Sequence, residues 1–143
     1  MKAAELCSLL YTEQRLKSFK KWPFDPKSTK TKTQNTCTSV NLAKAGYIFF
    51  EDNCATCVFC GKTLEFEPQD NPFNEHRSHS PNCVFLEMME KDETEWTVKE
   101  FEVLIAALCT RECLTTVKRW QEELLVQGRK VRKRIEPFID DNN

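Results

Sequence analysis

Three observations predict an α+β fold, a small three-stranded antiparallel domain with short helices followed by one long C-terminal α-helix. β-prone runs at 47–50, 55–59 and 63–67 are separated by short polar turns. Cys57-x2-Cys60 is followed by His76 and Cys83, so four metal-ligand side chains gather in one stretch. From Thr97 to about residue 140 the pattern is helical, with a single proline, Pro137, near its end.

Composition narrows the function classes. A chain of 143 residues suits one domain of ordinary size. A net charge of −1 gives no whole-protein field toward nucleic acid or an acidic membrane, so direct DNA binding is not expected. Three Gly and ten Phe mark an ordered chain and not a linker. The apolar piece Leu6–Tyr11 is short and follows Glu5, and no run approaches a membrane span, so neither a secretory leader nor a membrane partner is expected. Eight cysteines then imply a reducing nuclear or cytoplasmic compartment, where clustered Cys and His signal metal before disulfides.

Taken in order, residues 1–11 form an apolar arm, with Leu6, Leu9, Leu10 and Tyr11 expected to pack on this domain or on a second copy. Thr12 starts a helix to about Lys20, with Leu16 and Phe19 on one face, and Trp22-Pro23 stops it. Residues 25–36 read as an exposed loop. Thr38 caps a helix over 39–45 that Gly46 ends. The three strands follow, at 47–50, 55–59 and 63–67. Pro72 opens a helix through His79. Ser80-Pro81 is expected to open another carrying Cys83, Phe85 and Leu86, with its N-terminal amides favouring the Cys83 thiolate.

Two thiols of a C-x-x-C turn reach one metal, and a later His and Cys close a tetrahedron. Four protein ligands leave no open position, so a zinc ion here builds structure and does no chemistry. Cys54, Cys57 and Cys60 near His76 could mimic a nucleophile and base, but no Ser/His/Asp set, phosphate loop or acid pair appears, and no enzyme is expected.

Thr97 and Glu100 form a capping box. Val98, Phe101, Leu104, Ile105 and Leu108 make one stripe. Farther on, Val117, Trp120, Leu124, Val131 and Phe138 make a heptad seam with a polar gap at Gln127. Such a helix would be on the order of 60 Å long, more than the small domain covers, so residues 115–140 read as a surface for partner helices. The basic run Arg129–Arg134 reads either as a localisation or nucleic-acid patch or as a solvated face.

Arg15-x3-Phe19-x2-Trp22-Pro23, Ala43-x2-Gly46-Tyr47, Cys57-x2-Cys60, Glu67-Pro68, Pro72, His76 and Cys83, taken together, resemble the baculovirus inhibitor-of-apoptosis repeat, the BIR domain. The likeness spans about residues 12–88, and the layout becomes arm 1–11, BIR domain 12–90 and helix 97–140. It implies one structural Zn(2+) on Cys57, Cys60, His76 and Cys83. Phe59 before Cys60 favours that pair over Cys54, and the spacing to Cys83 favours His76 over His79.

BIR domains capture a free peptide N-terminus by strand addition. The resemblance implies Glu65 and Asp70 at the terminal ammonium, with Glu67 adding negative field, and Phe66 walling a pocket for an Ala methyl. One repeat with a long helix and no RING finger resembles the single-repeat branch that serves the chromosomal passenger complex. There His79 and Lys62 would meet a phospho-Thr, and Glu65 and Glu51 the basic residues, of an Ala-Arg-Thr-Lys histone tail. Gln69 and Asn71 stand where that branch carries acids, Phe66 stands for a Trp, and one residue is missing just before it, which lowers the charge of the amine pocket. The branch implies helical scaffold partners, a mitotic kinase recruited through them, and work at centromere and spindle midzone in chromosome segregation and cytokinesis. It also implies a homodimer through Leu6, Leu10, Trp96, Val98 and Phe101. The family at large implies an alternative, inhibition of caspases or capture of antagonist peptides.

Overall fold

The computed structural model describes residues 3–26 and 35–140; most of the expected 25–36 loop lies outside the described residues. Among the described residues, five α-helices and three strands follow in the order α1 (Ala3–Ser8), α2 (Thr12–Leu16), α3 (Ser39–Lys44), β1 (Tyr47–Glu51), β2 (Cys54–Cys57), β3 (Thr63–Glu65), α4 (Pro72–His79) and α5 (Val98–Asp140). The sheet is antiparallel with order β1-β2-β3, so β2 is central. Residues group into two compact units, Met1–Arg111 and Glu112–Asn143.

Local chemistry accounts for most element ends. Thr38 Oγ1 accepts from Asn41 N at 3.3 Å and caps α3. Gly46 follows at φ +91°, a left-handed position that glycine takes without steric cost. A Cβ there would also lie 2.7 Å from the Phe85 ring, so this residue is doubly constrained to glycine. Asn71 accepts from Phe73 N and Asn74 N, and Pro72 occupies the first turn of α4. Thr97 and Glu100 close the capping box at the start of α5: Glu100 N donates to Thr97 Oγ1 at 3.2 Å and Thr97 N to Glu100 Oε2 at 2.8 Å.

The core of the first unit is aromatic. Trp22 packs edge-on to Phe19, Phe24, Phe49 and Phe66, and Phe59 stacks on Phe85 at 4.3 Å. Leu104 and Leu108 of α5 are buried in the same cluster.

A charged side chain sits in its middle. Arg15 is fully buried, and its guanidinium donates to the carbonyls of Leu9, Leu10 and Ala43 and to Thr12 Oγ1. It also lies over the Phe85 ring at 5.1 Å. Burial lowers its pKa to about 10, against the opposing pull of Glu93 and then Cys57. Glu93 accepts from Thr12 N at 2.6 Å and stands 3.8 Å from Arg15, tying the segment before α5 to the N-terminal elements.

Several sequence expectations are corrected. The N-terminal arm contains a helix, α1, and Leu10 beyond it is buried, because the Arg15 fork pulls the Leu9 and Leu10 carbonyls inward. Leu10 is therefore not free to serve an interface. Helix α2 stops at Leu16, and the chain continues to Phe19 through tight turns. Residues 81–90 form successive turns and no helix, so no helix dipole acts on Cys83. Packing of Phe85, Met88 and Met89 into the core dictates that path. Strand β2 starts at Cys54 and ends at Cys57, and β3 is shorter than expected, ending at Glu65. Pro137 lies inside α5, which runs on to Asp140.

From Glu112 onward the second unit is helix alone among the described residues. Its large apolar side chains are exposed, including Trp120 (61%) and Leu124 (73%).

Candidate metal centre and peptide edge

The metal site begins in a hydrogen-bonded knuckle. Cys57 N donates to Lys62 O and Gly61 N donates to Cys57 O, each at 2.9 Å. This closes residues 57–62 into a loop that turns Cys57 and Cys60 toward one point. Gly61 has φ +72°, and the Arg111 guanidinium lies directly over it, where a Cβ would come within 1.7 Å of Nε. Helix α4 brings His76, and the turns after it bring Cys83.

The ligand atoms of Cys57, Cys60, His76 and Cys83 all lie within 4.8 Å of one another. His76 Nδ1 is 2.8 Å from the Ala45 carbonyl. A carbonyl only accepts, so Nδ1 carries a proton and Nε2, 3.6 Å from Cys60 Sγ, is the nitrogen turned toward the thiols and the one that would bind a metal. Hydrogen bonds from Cys57 first and Cys83 next hold the Cys60 thiol well below the ordinary range. Burial would lower the His76 pKa, but bonds to Cys60 and Cys83 outweigh it and raise the group to about 9. The cluster thus attracts positive charge, and its three sulfurs and one nitrogen suit a tetrahedral zinc ion with no open position. Cys57, Cys60, His76 and Cys83 fit one structural Zn(2+).

The two alternative ligands are elsewhere. Cys54 pairs across the strands with Glu51 on one side and Glu65 on the other. Its pKa is raised, by burial first and then by Glu65, Glu51 and Asp52. His79 is half exposed, with Nε2 3.4 Å from Glu75.

The same geometry locates the candidate peptide residues. Among the described residues β3 pairs only with β2, so its outer edge keeps free amides and carbonyls. Register places Glu51, Cys54 and Glu65 in one row across the sheet, so two of the expected acids flank Cys54, about 10 Å apart across two strand spacings. Asn53 Nδ2 donates to Glu65 Oε1 at 3.3 Å and to Phe66 O at 2.9 Å, steadying the end of β3. Asp70 Oδ2 accepts from Glu67 N, and Gln69 donates to Glu67, so the 67–70 turn is braced from within. Lys62 is exposed in the knuckle.

Phe66 is a correction. It has no exposed surface and packs edge-on to Tyr47 at 5.3 Å, inside the core and not along a surface pocket. Arg15 stands first in the family motif, but its role as a buried fork is visible only in the structure. Glu93 and Asn53 are structural participants that carry no sequence signal.

A family model described as "BIR: Inhibitor of Apoptosis domain" matches residues 15–87. The chain belongs to the BIR family. It is 37% identical over 129 residues to Baculoviral IAP repeat-containing protein 5 of Rattus norvegicus, covering 87% of this chain and 85% of the relative. The Mus musculus protein of that name is 34% identical, covering 92% of each chain. The Cavia porcellus one is 35% identical, covering 90% of this chain and 88% of the relative. This is a survivin-like BIR protein.

Proposed function

We propose that the chain is a non-enzymatic adaptor, reading a peptide N-terminus with its BIR domain and bundling α5 with scaffold helices to recruit a mitotic kinase. The observation that carries this reading is the edge of β3, unpaired among the described residues, with Glu65 on it and Glu51 in the same cross-sheet row. An extended peptide adds to such an edge through main-chain bonds, and the acids receive its ammonium and basic side chains. Asp70 keeps its second oxygen for the ammonium, and His79 and Lys62 supply donors to a phosphate. The tail this suits begins Ala-Arg-Thr-Lys with phospho-Thr. The exposed seam Val117, Trp120, Leu124 and Val131 supports the scaffold half of the reading, and Trp96, Val98 and Phe101 lie in or near the first turn of α5. Such an adaptor works in the nucleus, at centromere and spindle midzone, in chromosome segregation and cytokinesis.

A titration tests the groove. Free Ala-Arg-Thr-Lys peptide, its phospho-Thr form and its N-acetylated form are compared by calorimetry on the zinc-loaded chain. Acetylation removes the ammonium and is expected to weaken binding by about tenfold or more. Equal binding of the acetylated peptide discards the groove.

A further inference from the structure

The basic run at 129–134 has no task in the adaptor reading. Residues 124–135 hold five basic side chains and no acid, and over residues 117–138 seven basic side chains stand against three acidic ones. The whole-chain charge of −1 therefore averages a strongly basic segment with an acidic remainder. All five cations of the run are exposed. At about 100° per residue, Val117, Trp120, Leu124, Val131, Ile135 and Phe138 fall within roughly 60° of arc on the same helix. Their exposures run from 44% at Val117 to 73% at Leu124. Measured from the middle of that stripe, Arg132 stands about 90° to one side, and Arg134 and Lys130 about 70° and 110° to the other. Arg129 and Lys133 lie farther round, on the back of the helix.

We propose that residues 117–138 lie along an anionic lipid bilayer, with the narrow stripe dipping into the acyl boundary and the flanking cations at headgroup height. A basic amphipathic helix with Trp and Phe on its apolar face has the chemistry of an interfacial membrane helix. Trp120 joins an apolar ring to a polar N–H, which suits the boundary between headgroup and hydrocarbon. Arg132, Arg134 and Lys130 run their aliphatic stems beside the stripe and bring their charges to lipid phosphates and carboxylates. A protein groove takes such a stripe without needing cations on both of its flanks. Nucleic acid takes the cations but leaves six large apolar side chains in water. No helix among the described residues is long and apolar enough to cross a membrane, and a one-sided stripe suits lying on the surface. Glu122 and Glu123 precede the basic run, so the closest contact is over residues 124–138. A scaffold helix uses the same stripe, so scaffold and bilayer exclude each other.

Vesicle flotation on the full zinc-loaded chain tests this. The chain is expected to float with phosphatidylcholine vesicles containing about 30% phosphatidylserine and not with phosphatidylcholine alone. Lys130→Gln, Arg132→Gln and Arg134→Gln together are expected to weaken binding about a hundredfold. Leu124→Ser with Val131→Ser is expected to weaken it about tenfold or more. Tryptophan emission should shift to the blue on the anionic vesicles, and Trp120→Phe should remove that shift, because Trp22 lies buried in the core. A chain that does not float with anionic vesicles overturns the proposal. Flotation indifferent to the Leu124 and Val131 changes also overturns it, leaving charge attraction alone. Tighter capture by duplex DNA than by anionic vesicles at the same salt concentration overturns it in favour of a nucleic-acid surface.

Discussion

Leu108 and Leu124 lie on one helix, yet Leu108 is 2% exposed and Leu124 is 73% exposed. The first belongs to a unit with three kinds of long-range restraint: an aromatic core, the buried Arg15 fork and four ligands for one metal ion. The second belongs to a unit whose described order is helical hydrogen bonding alone. A lone helix of this sort is marginal in water, because most helix stability in proteins comes from packing one face. The contrast explains why the two units suit different tasks. Metal and core hold the open edge of β3 in place, which the proposed peptide reading requires. The uncovered apolar stripe is what the proposed helix partner would complete.

The largest expected effect separates the units directly. In zinc-finger peptides structural zinc contributes an apparent ~10–16 kcal/mol, comparable to the whole stability of a small domain. Cys60→Ser, or a strong chelator, is therefore expected to unfold the first unit, seen as loss of the buried Trp22 fluorescence environment. The far-UV helical signal falls by a smaller fraction, since the helical bonds of residues 112–140 need no metal. Full retention of the Trp22 environment without metal would refute the zinc-stapled account.

An intermediate effect comes from truncating the two leucines. Leu108→Ala empties a buried position and should cost about 2–5 kcal/mol in denaturant unfolding. Leu124→Ala on monomeric protein should stay within about 0.5 kcal/mol. Comparable losses would mean that the stripe packs within its own chain.

The smallest effect tests the joint where α5 begins. Lys91 first, and then the Thr97 amide and hydroxyl, hold the Glu100 carboxyl at about 2. A depressed carboxylate stabilises the fold above its ordinary range, and that stability is lost as pH falls from about 4.5 toward 2. Glu100→Gln should flatten a small part of the acid limb of a melting-temperature profile. An unchanged profile would remove the capping box as a contributor.

By itself, the sequence determined what is local in cause. Ligand types at short spacings marked the zinc site, Thr38, Pro72 and Thr97-x2-Glu100 marked helix starts, and the heptad pattern marked an uncovered seam. Caps, turns and periodicities act over a few residues, so they can be read along the chain. Tertiary structure decided which way side chains face when neighbours come from distant segments. Phe66 turned inward because Tyr47 and Trp22 meet it there. Leu10 was drawn in by Arg15, whose own burial depends on carbonyls of Leu9, Leu10 and Ala43. Residues 81–90 gave up a helix so that Phe85, Met88 and Met89 could reach the core. Glu51 and Glu65 came to flank Cys54 in one row only through strand register, which is a property of paired strands and not of either one alone.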